Sequence, residues 1–247
     1  MTLKPVAERG ASQSVKAILG IRDLVFSGDV LPGERLSEIT ISEQLGLSRT
    51  PVRAALARLE QEGILEMIPS GGYAVRSFTE ADIGDAIELR GVLEGTAARL
   101  AAERGVAPAR LSTLHGLMVE LDLIVSAPLD EFDFQAYIAR NQDFHEILKG
   151  LCGSEMVRRE LDRVMSLPFA GPSAFIEAQA EIPQCHAALV IAQSHHRAIL
   201  NAIEMREGGR AEALAREHAR LARHNLDYVI ENRKLMKKVP GLFLVKG

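Results

Sequence analysis

Three histidines and one asparagine are spaced so that they could bind a metal ion. Asn141 and His145 are four residues apart in a segment of helical periodicity, so both side chains point to the same side of that helix. His196 and His218 lie in the last two predicted helices, from which they could reach the same interior. Imidazole nitrogens and an amide oxygen are potential metal ligands, whereas each histidine taken alone is more simply explained as a surface or core residue.

A second chemically distinctive segment runs from Gln44 to Leu59. It contains Arg49, Arg53 and Arg58 and no acidic residue. Arginine binds guanine edges or phosphates with two hydrogen bonds at once, whereas a merely solvated helix face usually mixes both signs of charge. The segment is therefore a candidate nucleic-acid surface, and a purely structural helical module is the alternative.

Length and composition indicate a globular protein of one large domain or two ordinary ones. The chain has 247 residues, of which 47% are hydrophobic and 25% charged, and its net charge of -4 argues against a protein that coats nucleic acid through overall basicity. The sequence has neither the ~20 consecutive apolar residues of a membrane span nor a secretory signal, which predicts a cytoplasmic protein. Cys152 and Cys185 are expected to be small core residues.

The arginines fall within a pattern of three short helices. We predict these helices over residues 12–27, 40–45 and 48–63, with Ser12 or Ser14 as the cap of the first. Only the residues 46–48, Gly-Leu-Ser, separate the second helix from the third, as in a helix-turn-helix. Two alternating runs around a turn at residues 69–72 then predict a hairpin, or wing. In such a module the start of the third helix, with Arg49, Thr50 and Arg53, faces base edges.

From Thr79 the periodicity is helical almost to the end of the chain. We predict six helices, near residues 79–105, 108–126, 131–151, 154–166, 183–207 and 210–233. Six helices without a strand pattern indicate an all-α bundle. The predicted fold is therefore mainly α, with a winged helix-turn-helix domain at residues 1–77, a helical domain at 78–233 and a tail at 234–247 that has no clear assignment.

These segments resemble a known family. The residues that carry the resemblance are Leu31-Pro32-Gly33-Glu34-Arg35-Leu36, Leu45-Gly46-Leu47-Ser48-Arg49-Thr50-Pro51-Val52-Arg53-Ala54-Ala55-Leu56, Leu59-Glu60-Gln61-Glu62-Gly63 and Gly71-Gly72-Tyr73-Ala74-Val75. They are similar to the winged helix-turn-helix of GntR-type bacterial transcription regulators. The second half, with Asp82-Ile83, Glu88-Leu89-Arg90, Leu93-Glu94 and a later His-Arg-Ala-Ile-Leu segment, is similar to the helical effector domain of the FadR branch, called FCD. The stretch from Gly71 to Gly105 looks most like the vanillate-responsive regulators.

The resemblance implies which residues contact DNA. These residues are Arg35, Ser48, Arg49, Thr50, Arg53, Gly71 and Gly72. The three arginines align with residues that contact operator DNA in the family, while Thr50 and the wing glycines approach the DNA backbone. For Arg58 two interpretations stay open, a phosphate contact and a solvated position. Family members bind near-palindromic operators as dimers and usually repress, so we expect a homodimeric repressor.

The resemblance also implies a metal site in the helical half. Metal-binding FCD domains present Asp-x-x-x-His on one helix and a histidine on each of two later helices, which this sequence matches at His145, His196 and His218. The 22-residue gap between the last two favours His196 over His195. Asn141 stands in place of the aspartate, and its neutral amide oxygen is a weaker ligand than a carboxylate. We expect a divalent transition metal, with zinc, nickel and manganese all open, whose ligand shell Asn141 or a bound carboxylate effector completes.

Arg90 is the candidate effector-binding residue. It matches an arginine of the family near Leu93-Glu94, and a buried arginine suits a carboxylate ligand, although a salt bridge to a neighbouring glutamate explains it equally well. The expected function is a DNA-binding regulator released or re-posed by a small organic acid, aromatic acids included, and not an enzyme. Two alternatives stay open: a metal-dependent hydrolase or metal-binding bundle built on the same histidines, for which no HExxH motif or placed general base is found, and a DNA-binding protein whose helical half only dimerises.

Overall fold

The structure, a computed structural model, describes residues 6–128, 130–167, 169–176, 183–232, 235, 239 and 241–245, with the main chain alone given for residues 6–12 and 183–185. The elements are α1 (Val6–Phe26), β1 (Arg35–Leu36), α2 (Glu38–Leu45), α3 (Arg49–Gln61), β2 (Leu65–Met67), β3 (Tyr73–Val75), α4 (Glu80–Arg104), α5 (Pro108–Val125), α6 (Phe134–Leu151), α7 (Glu155–Met165), α8 (Pro183–Glu204), α9 (Gly208–Glu231) and a 3₁₀ helix at Leu242–Leu244. The predicted mainly α fold, with a winged helix-turn-helix followed by helices only, is confirmed. The chain forms two compact units, Met1–Glu80 with Pro240–Gly247 and Ala81–Val239.

Helix α1 begins earlier than the sequence analysis predicts. Its first residue is Val6, so Ser12 and Ser14 lie inside the helix and the expected cap at these positions is wrong. The residues before them, Ala7, Glu8 and Arg9, all have high helix propensity, which extends the helix beyond the serines. Polar residues with capping preference therefore mark this helix start incorrectly.

The turn between α2 and α3 has the predicted length. Gly46 follows α2 with φ of 65°, a left-handed conformation that an L side chain would strain and that ends the helix. Ser48 occupies the N-cap position of α3 in extended backbone, although its hydroxyl makes no capping hydrogen bond. The short turn sets the two helices of the motif against each other.

The wing is a three-stranded sheet with one strand more than the predicted hairpin. Strand order is β1-β3-β2, and both pairings are antiparallel, with Arg35 opposite Ala74 and Met67 opposite Tyr73. The residues Gly71 and Gly72 form the tip with φ of 84° and 96°, which glycine adopts without strain. The two-residue strand β1 is too short to produce an alternating pattern, so the sequence could not predict it.

Apolar residues of α1, α3 and the sheet form the core of this unit. The fully buried ones are Ala17, Ile21, Val25, Val52, Ala55, Leu56, Leu59 and Val75, together with Ile64 directly before β2. On α1 and α3 they recur every three or four residues, so each helix buries one face and leaves the opposite face to solvent. This packing exposes the arginine face of α3.

The end of the chain belongs to the same unit. Leu242 and Leu244 of the 3₁₀ helix are buried, and the backbone amide of Phe78 donates a hydrogen bond of 2.8 Å to the carbonyl of Leu244. Phe78 also pairs with Val245 in a parallel bridge. The terminal segment therefore adds apolar side chains to the winged-helix unit.

Helices α4 to α9 form the second unit around an apolar core. Two glycines of α4 lie against α9: a Cβ on Gly91 would be 2.9 Å from the Cβ of Ala219, and a Cβ on Gly95 would be 3.0 Å from the carbonyl oxygen of Glu212. The absence of side chains at these positions lets the backbones approach, which brings Arg90 and Glu94 of α4 close to His218 of α9. Within the described part of the chain, no helix is long and apolar enough to cross a membrane.

Candidate functional site

The predicted DNA-contacting residues of α3 lie together at its N-terminal end. Ser48, Arg49, Thr50 and Arg53 are all exposed, whereas Val52 between them is buried in the core. One turn of helix therefore presents two guanidinium groups and a hydroxyl group to solvent. This is the end that a helix-turn-helix inserts into the major groove.

Both exposed arginines are ion-paired to one carboxylate of α2. Glu38 accepts hydrogen bonds from Nε of Arg53 at 2.8 Å, from Nη2 of Arg53 at 3.0 Å and from Nη2 of Arg49 at 3.3 Å. The hydrogen bonds from Arg53 are the main reason why the pKa of Glu38 lies below 4.5. The segment 44–59 contains no acidic residue, but the fold places the carboxylate of Glu38 against its arginines.

Arg35 occupies a second part of this face, beside the wing. It is exposed on β1, and a Cβ on Gly72 would lie 3.4 Å from its Nε. Within the described residues no carboxylate forms an ion pair with Arg35. The structure thus brings together Arg35, Gly71 and Gly72, all three of which the sequence analysis selected.

Arg58 lies apart from these contacts. Its Nε donates to Glu62 at 2.8 Å, and Glu62 also accepts a hydrogen bond of 2.5 Å from Arg22 of α1. The side chain of Arg58 is 57% exposed, and the choice between a phosphate contact and a solvated position stays open. The ion pair that links the end of α3 to α1 is that of Glu62 with Arg22.

In the second unit, three histidines from three helices meet in the buried interior. The Nε2 atom of His218 lies 3.1 Å from Nε2 of His196 and 3.2 Å from Nε2 of His145, and the ligand atoms of all three lie within 4.8 Å of one another. All three side chains are at least 92% inaccessible to solvent, since their exposed fractions are 1%, 0% and 8% for residues 145, 196 and 218. His195 is not part of this group, and its ring centroid is 6.0 Å from that of His218.

Hydrogen bonds to the opposite ring nitrogens orient two of the imidazoles. Nδ1 of His145 donates to Oε1 of Glu94 at 2.7 Å, and Nδ1 of His196 donates to Oε1 of Gln193 at 3.0 Å. Gln193 is itself held, because its Nε2 donates to Asp122 at 2.5 Å and to the carbonyl of Met118 at 3.3 Å. Such outer hydrogen bonds fix the tautomer and leave Nε2 of each ring with a lone pair.

The charges around the histidines are set by burial. Burial lowers the pKa of His196 and of His218 well below 6.5, and the neighbouring imidazoles lower it further, so both rings are neutral at pH 7. Burial also opposes ionisation of Glu94, but its contacts with His145 and Arg90 prevail and lower its pKa from 4.5 to about 2. The cluster therefore combines the neutral rings of His196 and His218 with an ionised carboxylate that is hydrogen-bonded to His145.

This arrangement of donors fits a metal ion. In the neutral state the Nε2 lone pairs of His145 and His196 both face Nε2 of His218, which can donate one proton at most. At least one of the two contacts is then left without a hydrogen bond, and a cation bound by the nitrogen lone pairs would satisfy the three rings together. Nitrogens that are each about 2.1 Å from a metal lie ~3.0 to 3.4 Å apart for angles between 90° and tetrahedral, a range that includes both observed separations.

Asn141 and Arg90 border a small cavity beside the histidines. The cavity has a volume of about 30 Å³, and its lining includes Arg90, Tyr137, Asn141, His218 and Asn225. Asn141 is buried, and its amide nitrogen donates to Ser173 at 2.8 Å, so the amide oxygen is the atom that could bind a metal or an effector.

Arg90 makes the salt bridge that was one of its two interpretations. Its Nε lies 3.7 Å from Oε2 of Glu94, and its Nη1 donates to the carbonyl of Ala170 at 3.0 Å. Neither Arg90 Nε nor Glu94 Oε2 has a hydrogen-bond partner within the described residues. The guanidinium therefore keeps hydrogen-bonding capacity for a ligand in the cavity.

The sequence analysis missed two residues that hold these sites, Glu38 and Gln193, and one of the two contacts of Glu94. Glu38 and Gln193 carry no motif, although Gln193 precedes His196 by three residues on one helix, a spacing that places the two side chains together. Glu94 follows Arg90 by four residues, and a salt bridge with a neighbouring glutamate was one of the two interpretations of Arg90. The bond of Glu94 to His145 had no local signal.

Comparisons with known proteins agree with this geometry. Residues 13–75 match the family described as "Bacterial regulatory proteins, gntR family", and residues 85–221 match the FCD domain. An Agrobacterium vitis protein, named an uncharacterized HTH-type transcriptional regulator in the TAR-I ttuE-ttuC' intergenic region, is 34% identical over 52% of this chain and 74% of its own length. The Escherichia coli HTH-type transcriptional repressor GlaR is 25% identical over 80% of this chain and 88% of its own.

A solved structure shares the fold. Escherichia coli McbR/YncC aligns with a TM-score of 0.60 at 20% identity and covers 90% of this chain and 98% of its own. The FCD match spans more than half of the 247 residues and directly follows the gntR match, in the order in which the two units occur in the chain. The protein thus belongs to the GntR family of bacterial transcription regulators, with an N-terminal winged helix-turn-helix and a C-terminal FCD effector domain.

Proposed function

We propose that this regulator is a cytoplasmic, homodimeric repressor that releases a near-palindromic operator when a small organic acid binds beside a metal ion in its helical unit. The observation that carries the proposal is the meeting of three buried side chains, Arg90, Asn141 and His218, around one small cavity next to the three-histidine cluster. A cation, a neutral oxygen donor and a partly unused guanidinium together suit a carboxylate.

The DNA-binding half of the proposal is supported by the exposed start of α3. Arg49 and Arg53 would reach base edges in the major groove and Arg35 would also contact the operator, while Thr50 and the wing tip at residues 71–72 would approach the backbone. A single winged helix reads only a few base pairs, and a two-fold dimer doubles the site. Two such units would require an operator of matching two-fold symmetry.

The metal would be held by His145, His196 and His218, with Asn141 or the effector as an oxygen ligand. When bound, a divalent transition metal would supply positive charge and open coordination positions for a carboxylate. Glu94 and Gln193 hold the imidazoles in the tautomers that metal binding requires. Zinc, nickel and manganese all remain compatible with this set of ligands.

The size of the cavity links effector binding to a conformational change. A volume of about 30 Å³ holds roughly two water molecules, so an acid as large as benzoate requires the lining helices to move apart. Such an acid binds the opened form far better than the closed one, and this difference in affinity is what shifts the population. Repression would end if the opened form binds DNA more weakly.

The test is a titration of metal-loaded full-length protein with acetate, benzoate and vanillate, with benzyl alcohol as the uncharged comparison. At least one carboxylate should raise the melting temperature and weaken binding to a labelled duplex that the protein has selected from a random-sequence pool. Arg90→Gln should lose both effects. Arg99→Gln is the matched control, because Arg99 lies on the same helix but is one-third exposed and pairs with Glu103 and Glu212 away from the cavity. If no carboxylate changes either measurement, the sensor part of the proposal is wrong.

A further inference from the structure

Glu38 faces the same side of the winged-helix unit as the two arginines proposed to read bases. Its side chain is 25% exposed, against 60% for Arg49 and 65% for Arg53. One carboxylate therefore lies beneath two largely exposed guanidinium groups. The carboxylate is placed at the first residue of α2, where the helix dipole also favours a negative charge.

The hydrogen bonds occupy one defined edge of the Arg53 guanidinium. Oε1 and Oε2 of Glu38 accept from Nε and from Nη2, which form the side edge of the planar group. Of the five N–H bonds of an arginine, this leaves the outer N–H of Nη2 and both N–H bonds of Nη1. One N–H of each terminal nitrogen forms the end-on pair that matches O6 and N7 of guanine.

Glu38 also reduces the positive charge that the arginines present to DNA. Arg49 and Arg53 carry two charges, and the shared carboxylate brings their sum with Glu38 to one. Non-specific affinity comes from neutralising phosphates, so the carboxylate lowers binding to every sequence. Binding to a correctly placed guanine loses less, because the end-on hydrogen bonds remain available.

We propose that Glu38 is a specificity-determining residue, which positions Arg53 for end-on recognition of guanine and weakens binding to other sequences. This inference rests on the proposed function, since it requires that Arg53 reads a base. Glu38 acts through the arginines and need not touch DNA. Specificity of this kind combines an attractive element with a repulsive one.

The test compares full-length wild type, Glu38→Ala and Glu43→Ala on three duplexes. The first is the sequence selected by the wild-type protein from a random pool, the second is the same duplex with 7-deazaguanine in place of guanine, and the third is a shuffled sequence. Glu43 is the matched control, because it is exposed on the same helix and takes no part in the Glu38 ion pairs. Both variants remove one negative charge.

We expect Glu38→Ala to bind the shuffled duplex more tightly and to lose about tenfold or more of the preference for the selected duplex. Its salt dependence on the shuffled duplex should steepen by about one phosphate contact. The penalty for 7-deazaguanine should shrink in Glu38→Ala and stay unchanged in Glu43→Ala, a difference that mere loss of charge does not produce. Circular dichroism and melting temperature verify that both variants are folded.

Two outcomes would overturn the proposal and are distinguishable. If the wild type prefers its selected duplex and Glu38→Ala keeps the same preference and the same 7-deazaguanine penalty as Glu43→Ala, the assignment of Glu38 is wrong while the proposed function stands. If the wild type itself shows no preference among sequences, both fail.

Discussion

Each unit of the protein has one glutamate that holds its functional side chains, and the two glutamates differ mainly in their exposure to water. Glu38 is 25% exposed and pairs with two arginines at the surface, whereas Glu94 is 2% exposed and lies between Arg90 and His145. Water and salt compete with the surface pairs, so these can exchange for contacts with a phosphate or a base. Water does not replace the partners of the buried Glu94, so loss of either member of the Arg90–Glu94 pair leaves an uncompensated charge in the interior.

The two clusters therefore suit different tasks. A surface pair that costs little to separate lets Arg49 and Arg53 change partners during binding and release of DNA. The buried Glu94 holds Arg90 and His145 in fixed positions before a ligand arrives, through an ion pair with Arg90 and a hydrogen bond from Nδ1 of His145. Substitutions in the surface cluster and in the buried cluster should therefore differ in the size of their effects and in whether they change DNA binding or folding stability.

The largest effect is expected for Glu94→Gln. The amide keeps the volume but leaves the buried Arg90 without a counter-charge, and breaking a buried pair costs about 3 to 5 kcal/mol. Urea unfolding in the presence of a chelator measures this loss on the metal-free protein. Glu103→Gln is the control, since Glu103 pairs with Arg99 on α4 at the same four-residue spacing but near the surface. Its folding equilibrium constant should change less than about fivefold.

The buried pair can also be removed as a whole. Arg90→Met combined with Glu94→Leu leaves no unmatched charge, so the double variant should recover part of the stability that Glu94→Gln loses. Equal stability losses for Glu94→Gln and Glu103→Gln would show that burial does not distinguish the two pairs.

The second effect concerns metal binding. His196→Ala removes one of three convergent nitrogens, and the metal affinity should fall by more than the ~10 to 100-fold typical of an outer residue. Elemental analysis of untagged protein and titration with zinc, nickel and manganese measure the stoichiometry and affinity. His224→Ala, an exposed position six residues beyond His218 on α9, should bind metal as the wild type does. A wild type that takes up no metal after reconstitution would contradict the expectation.

The third effect concerns DNA. Arg53→Ala should weaken binding to the selected duplex by ~10- to 100-fold if Arg53 reads a guanine. Arg58→Ala removes the same charge from the same helix, but Arg58 lies more than one turn beyond Arg53, away from the helix end proposed to read bases, so its effect should be several times smaller. Anisotropy titrations at two salt concentrations compare them. Similar losses in both variants would indicate a general charge effect and not base recognition.

The local parts of the fold were predictable from the sequence. The turn between α2 and α3 depends on Gly46 and its immediate neighbours in sequence. The wing likewise requires the glycines at 71 and 72 for its positive φ angles. The six helices of the second unit follow from periodicity and breakers, although several begin or end a few residues away from the prediction. Helix α1 shows the limit, since propensity before Ser12 outweighed the cap.

The contacts between distant residues were not predictable. Glu38 and Arg53 are 15 residues apart and meet only because α2 and α3 cross at the turn, and Glu94 and His145 are 51 residues apart. Leu244 is buried beside Phe78, although nothing in its own segment indicates a partner. Residue type and periodicity predict which side chains lie on a face, but the pairing of faces depends on packing of the whole unit.

The smallest effect is expected for the folding stability of Glu38→Ala. Its partners are more than half exposed, and exposed pairs contribute little because water replaces their hydrogen bonds, so the folding equilibrium should change less than about fivefold. The same variant is expected to lose sequence preference, so unfolding by urea and DNA discrimination should separate. A large stability loss would mean that Glu38 fixes α2 to α3 as Glu94 fixes Arg90. The surface pairs of Glu38 would then be structural contacts like the buried pair of Glu94, and not contacts that exchange when DNA binds.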